Sequence, residues 1–552
     1  MFSSILNMRT KTISGAAILL ACSFFLSTIL GILRDRLLAG RFGAGEELDI
    51  YFAAFRIPDF IYAIFIAGGL MAVFLPIFSE HFEKDKEEAW RIASYLFNAI
   101  FLFMVFLSFV LALFMSPIMK FITPGFTPEM RETAVSLATL MLVSPIVLGI
   151  SAVFSGVLQY FQRFFVYSIA PIMYNVGIIF GIVVLEPEFG LAGLAFGVLI
   201  GVFLHASIQL YSAFKAGFRW HFSLGFWHPA LRQALKLAAP RTLGAAAYNL
   251  NLTLVTAIAS TLAAGSIGIF NFASNLHFFP VTLIGVSLGI AVFPALSKDY
   301  AQGEHEAFVS HFASGFRQIM FFIVPTVLLM FLLRFQIIHL LLKTGAFDLH
   351  AARLTAAVLG IFSFGLLFQA FLPYLIRTFF ALKETVLPTI SGILSVGVNV
   401  VFALMLVKIF SFQNPAYDFA VRALGLEGID DIRIIALPLA LSFSSMFSFF
   451  MLAFFLKKKM AAIYPAEIFK SAQKICVAGA FLLLATFLFL RLSPVFFKEE
   501  TFSSILGETL GALLVGGTAY IVVMMLLKSQ EAGALWHILK RIVGRGTPQN
   551  HE

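Results

Sequence analysis

Charged residues are sparse in this sequence, and a few sit inside or at the ends of apolar runs where their types and spacing could do chemistry. Arg34-Asp35-Arg36 closes the first run. Arg56 and Asp59 lie one to two turns into the second, and three residues apart on a helix they share a face and can pair. Arg241 follows Pro240 at the start of the seventh run, and Asn275 and His277 fall near the middle of the eighth, just before Pro280. Arginines gathered this way could form a cationic cup suited to an anionic head group, because a guanidinium presents several donors at once. A plainer reading stands beside it: an interfacial ion pair or a snorkelling Arg56, ordinary inner-face charge at Arg241, and a hydrogen-bonded interior histidine at His277. The sharper reading of His277 is a ligand for substrate or proton. If the runs cross a bilayer, each buried ionisable group costs about 2.5–3.5 kcal/mol on insertion scales, so it should face a cavity or a partner.

Composition shows what must position these groups. Of 552 residues, 60% are apolar and 12% charged, and mean hydropathy is +0.95. A soluble domain is about 45–50% apolar and about 25% charged. Too few polar groups exist to cover the outside, so the outside faces lipid. This excludes a string of soluble domains, disorder, coiled coil and a disulfide scaffold. Cys22 and Cys476 sit in apolar runs and read as small core residues. The net charge of +9 lies mostly in loops between the runs, where membrane orientation accounts for it and nucleic acid need not be invoked.

The apolar runs are continuous and about 20 residues long, which predicts helices and not a barrel. They predict an all-α polytopic membrane protein of about fourteen transmembrane helices. The first expected span covers residues 13–33, the second 51–78, the seventh 237–262 and the eighth 267–296, and the last two cover 473–490 and 505–527. The first is too long for a signal-peptide core and lacks a small-residue cleavage site. Lys and Arg favour the loops on the N-terminal side, so both termini are expected in the cytoplasm, with Lys457-Lys458-Lys459 on the same side.

Residues 52–74, FAAFRIPDFIYAIFIAGGLMAVF, resemble residues 271–293, NFASNLHFFPVTLIGVSLGIAVF. At an offset of 219, Ala54 meets Ala273, and Ala72-Val73-Phe74 meets Ala291-Val292-Phe293. Chance likeness of aromatic-rich spans is the alternative. A repeat spanning six helices predicts two parallel six-helix lobes, 1–220 and 221–460, with 461–552 adding two helices and a basic tail. Transporters built from such repeats hold substrate between halves that rock. No HExxH, Walker loop or CxxC occurs, so an enzyme is not expected, nor a metal or cofactor. With no ATP-binding segment, work must come from gradients, membrane potential or downhill flux.

The stretch ILGILRDRLLAGRFGAGEELDIYFAAFRIPDF, followed by LMAVFLPIFSE, resembles the start of the MurJ/MviN lipid II flippase family. The stretch APRTLGAAAYNLNLTLVTAIASTLAAGSIGIFNFASNLHFFPVTLIGVSLGIAVFPALSK resembles its seventh and eighth helices. The resemblance implies a multidrug/oligosaccharidyl-lipid/polysaccharide exporter fold with a central cationic cavity and a lipid-tail groove on the last two helices. It implies movement of an undecaprenyl-diphosphate-linked disaccharide-pentapeptide to the outer leaflet of a bacterial plasma membrane, with membrane lipids and cell-wall synthesis proteins as partners. Arg34 and Asp35 match the family's Arg-Asp, Asp49 its acidic residue before helix 2, and Arg56 a frequent basic position. The sequence departs from the family at Thr28, Tyr62 and Asn275, where members carry cavity arginines, and at Val255, where some carry an acidic residue. The diphosphate would then fall to Arg34, Arg36, Arg56 and Arg241, or the cargo is another polyprenyl-linked oligosaccharide. A cation-coupled drug exporter would instead need a membrane carboxylate, for which Asp59 and Glu508 are the candidates, and a non-transporting scaffold would need none.

Overall fold

The computed structural model describes residues 13–225, 228–460, 466–497, 501–533 and 535–536, without the side chains of 13–18, 67–72, 235, 237–241, 243–245 and 466. Every regular element among them is helical. In chain order these are α1 (Ile13–Phe42), α2 (Glu46–Ile61), a π-helical segment Tyr62–Leu70, α3 (Met71–Lys84), α4 (Lys86–Leu113), α5 (Met115–Ile122) and α6 (Pro128–Met141). Next come α7 (Val143–Tyr160), α8 (Phe164–Phe180), a π segment Gly181–Leu185, α9 (Glu186–Phe189), α10 (Leu191–Lys215) and α11 (Pro229–Ala259). Then follow α12 (Ser266–Pro280), a π segment Val281–Val286, α13 (Ser287–Gln302), α14 (His305–Leu332), α15 (Arg334–Leu341) and α16 (Leu349–Ala381). The last are α17 (Val386–Ile409), α18 (Pro415–Leu424), α19 (Ala436–Lys459), α20 (Ala466–Phe496) and α21 (Phe502–Leu526).

Among the described residues, 11 helices are long and apolar enough to cross a bilayer. The expected first, second and seventh spans are helical too but fall outside that set. The side chains of 13–18, of 67–72, and of 237–241 and 243–245, which belong to those three spans, lie outside the described residues. Large apolar side chains lie bare along the spans, including Phe106 and Phe109 on α4, Val401 and Leu404 on α17 and Leu514 on α21. This is the surface expected against acyl chains. It also corrects the reading of the cysteines: Cys22 and Cys476 are exposed, not core, because in lipid the apolar side of a helix faces outward.

The offset of 219 reappears in the element boundaries. Helices Lys86–Leu113 and His305–Leu332 match end for end, as do Met115–Ile122 and Arg334–Leu341, and the π segments begin at Tyr62 and Val281. By packing, the chain divides into two compact units, Met1–Gly268 with Thr344–Asp348, and Ile269–Lys343 with Leu349–Glu552. Packing therefore groups α11 with the helices before it, whereas the sequence repeat assigns it to the second lobe.

In the first unit α8 and α10 approach through a glycine seam. A Cβ on Gly177 would strike the backbone of Gly201, and one on Gly181 the Cα of Gly197. In the second unit the α20–α21 hairpin seats on α14 around Phe321, Ile475, Leu482 and Met524, and Tyr520 Oη donates to the Phe321 carbonyl at 2.9 Å.

Candidate functional site

Polar side chains at helical spacing along one face of α1 bind it to α8. Ser23 Oγ donates to Ser168 Oγ at 2.9 Å, and Asn175 Nδ2 donates to Ser27 Oγ at 3.4 Å. Two turns on from Ser27, Arg34 Nη1 donates to Asn175 Oδ1 at 3.4 Å. Arg34 also gives Asp35 Oδ1 two donors, Nε at 3.0 Å and Nη2 at 2.8 Å. Asp35 is buried, Arg34 and Arg36 half-buried. The expected Arg-Asp closure of the first span is thus a charge-assisted pair held by an asparagine from α8.

Arg56 is half-buried on α2. Its Nε donates to Thr256 Oγ1 on α11 at 2.7 Å, and that hydroxyl donates in turn to the Leu252 carbonyl at 2.9 Å. Because the hydroxyl proton is committed to the helix backbone, its lone pairs face the guanidinium. Asp59, one turn on, is exposed and interacts electrostatically with both Arg56 and Arg34. It interacts likewise with Tyr51, Tyr62 and Tyr174. The first unit therefore gathers Arg34, Asp35, Arg56 and Asp59 into one polar neighbourhood ringed by phenols.

Asp49 does something the sequence does not announce. It is buried, and its two carboxylate oxygens accept from the backbone N–H groups of Gly265 and Gly268, each at 2.8 Å. These are unsatisfied donors at the start of α12, so Asp49 caps that helix across more than 200 residues of chain. The side chain of Arg241 lies outside the described residues. Asn275 is exposed on α12. His277 is 1% exposed, stacks on Phe362 at 4.7 Å between centroids, and has no hydrogen-bond partner on either ring nitrogen among the described residues. The interior-histidine reading expected a hydrogen bond, and an aromatic stack stands in its place.

Two sets of contacts escaped the sequence reading. Arg41 Nε, on the exposed end of α1, pairs with the buried Glu186 at 2.7 Å. Thr256 and Asn175 hold the arginines. Tyr62, found where the family carries an arginine, adds a phenol beside Asp59. Val255, at the position acidic in some members, is fully buried, so α11 offers no carboxylate there. Glu508, the other candidate carboxylate, accepts from Ser493 Oγ at 2.6 Å on the neighbouring helix.

A family model described as lipid II flippase MurJ matches residues 38–506. The chain belongs to the lipid II flippase MurJ family. The match begins just past Arg34-Asp35-Arg36, so membership rests on the rest of the chain. A relative from Buchnera aphidicola, described as a probable lipid II flippase MurJ, is 28% identical over 409 residues, covering 72% of this chain and 79% of its own. Among solved structures, the inward closed conformation of a lipid II flippase MurJ aligns with a TM-score of 0.73 at 23% identity, covering 92% of this chain and 98% of that one. An inward-facing MATE family multidrug transporter of the MOP superfamily aligns with a TM-score of 0.63 at 15% identity, over 81% and 98%. These two likenesses show that the helical fold is shared. The flippase family is not an enzyme family; its members are transporters.

Proposed function

We propose that this chain is the lipid II flippase of a bacterial plasma membrane, moving the undecaprenyl-diphosphate-linked precursor from inner to outer leaflet by alternating access. Membership of the family supports the activity. The observation that carries the site is the cluster of Arg34, Asp35, Arg56 and Asp59, ionisable groups held inside spans where each must face a polar space. In that reading the diphosphate is taken by Arg34 and Arg56, with Arg36 and Arg241 adding positive charge along its path. Two guanidiniums can each offer paired donors to phosphate oxygens, in surroundings of low dielectric where such contacts are stronger than in water. Asn175 and Thr256 fix the two guanidiniums before the lipid arrives, so less side-chain freedom is lost on binding.

Asp49 enters as a positioning residue, through its hold on the start of α12. Asn275 and His277 enter as ligands on the second repeat, His277 becoming accessible once its stack on Phe362 opens. The prenyl tail stays in acyl chains throughout. The lobes 1–220 and 221–460 are taken as the repeat halves, with 461–552 serving the tail. Both termini are taken as cytoplasmic, and cell-wall synthesis proteins as partners that supply and consume the lipid. One elementary charge moved through about 100 mV is worth about 2.3 kcal/mol, enough to bias export of an anion.

The test is flipping of purified lipid II in proteoliposomes. The intact chain should accelerate transfer between leaflets. Arg34→Ala should slow it about 10- to 100-fold at equal protein level, since a hydrogen bond to a charged group is worth about 1.5–3 kcal/mol. Transfer that proceeds undiminished in Arg34→Ala would remove this residue from the site, and no acceleration by the intact chain would remove the function.

A further inference from the structure

Three carboxylates occupy this region, and they are treated differently. Asp35 is buried against two donors from Arg34. Asp49 is buried against two backbone N–H groups. Asp59 is exposed, and among the described residues its carboxylate receives no hydrogen bond; it meets Arg56 and Arg34 only through space. A carboxylate inside a span, left without donors, is expensive unless nearby positive charge compensates it. Here the compensation comes from the same two arginines that the reading above assigns to the diphosphate.

We propose that Asp59 is a built-in stand-in for the substrate's diphosphate, balancing Arg56 and Arg34 in the empty site and competing with the head group for them. The proposal rests on the assignment of the diphosphate to Arg34 and Arg56.

The charges make the consequence definite. In the empty site Arg34 stands against Asp35 and Arg56 against Asp59, so the cluster is close to neutral and tolerates closure around no substrate. When the diphosphate arrives, Asp59 becomes a like charge beside it. Part of the attraction of the two arginines is thereby cancelled, and the head group is held loosely enough to leave. A transport site must release as readily as it captures, and a resident counter-charge lowers affinity without removing the donors that recognise the phosphate. The phenols of Tyr51, Tyr62 and Tyr174, which also interact with Asp59, supply neutral polar surface in either state. An ordinary structural ion pair would instead show a direct contact, as Arg41 and Glu186 do.

The test uses the full chain in nanodiscs and a water-soluble, short-prenyl analogue of lipid II. Asp59→Asn and Asp59→Ser both remove the charge. Each should bind the analogue about tenfold tighter, because a like charge a few ångströms from the ligand at an effective dielectric near 20 is worth at least that factor. Each should also flip lipid II several-fold more slowly in proteoliposomes, while Asp59→Glu keeps both values near those of the unaltered chain. A merely structural role would weaken binding in the neutral variants. Unchanged or weaker binding in variants that fold sinks the proposal, as does tighter binding with no loss of turnover. If the unaltered chain fails to bind the analogue at all, the assignment of the diphosphate to the arginines is what has failed.

Discussion

The second span and its repeat counterpart, the eighth, are built to one plan and carry different chemistry. Each is an α-helix that passes into a π segment and resumes as an α-helix, with the π turns beginning 219 residues apart. At an offset of 219, Arg56 aligns with Asn275, Asp59 with Phe278, Pro58 with His277 and Asp49 with Gly268. The first copy thus holds an arginine, a carboxylate and a capping aspartate. The second holds an amide and a buried imidazole, and supplies the backbone N–H group that the first copy's aspartate caps. Packing of the π segments is inverted as well. In the first unit Ile66 lies over Gly149, where a Cβ would stand 3.2 Å from its Cδ1; in the second, Gly285 lies against the backbone of Ala370. The backbone plan follows from an apolar pattern that both copies share, whereas recognition of an anion needs charge in only one of them.

The largest effect that would break this asymmetry concerns transport. Arg56→Ala should reduce lipid II flipping about 10- to 100-fold, since it removes the guanidinium held by Thr256. Asn275→Ala, at the matching position, should cost about two- to tenfold, because a neutral amide contributes about 0.5–1.5 kcal/mol. Equal losses from the two would show that both copies grip the head group. Next comes the inverted packing, read by thermal unfolding in detergent. Ile66→Ala leaves a cavity over Gly149 and should cost about 2–5 kcal/mol. Gly285→Ala drives a methyl into the Ala370 carbonyl and should cost about 1–3 kcal/mol. A neutral result at Gly285 would mean the π segment shifts freely on α16.

Much of this was legible in the residues, and the limits have physical causes. Arg34-Asp35 and Arg56/Asp59 could be picked out because a charge inside an apolar run is costly and helical spacing fixes which neighbours share a face. The repeat was legible because two apolar spans share small-residue positions at one offset. What stayed hidden depends on contacts distant in sequence: Thr256 stands 200 residues from Arg56, and nothing beside Asp49 marks Gly265 and Gly268 as its targets. The π segments were hidden too, although glycines at 68, 69 and 285 hint at irregular helix. The cysteines were misplaced because apolar surroundings in sequence do not distinguish core from lipid.

The smallest expected effect is the most pointed, because it concerns a residue whose environment and proposed use pull apart. His277 is buried on Phe362 with both ring nitrogens unsatisfied among the described residues, and a buried polar group without a partner costs about 1–3 kcal/mol. His277→Phe keeps an aromatic ring in the stack and removes the polar atoms. It should therefore raise unfolding stability by about 1 kcal/mol, the remainder being lost to imperfect packing. A functional ligand would make the same substitution slow flipping, and the pairing of a more stable chain with a slower one is what a site that keeps an unsatisfied group for use predicts. A variant that is more stable and equally fast would leave His277 as a packing residue, and the second copy would then contribute backbone and no side-chain chemistry to the head group.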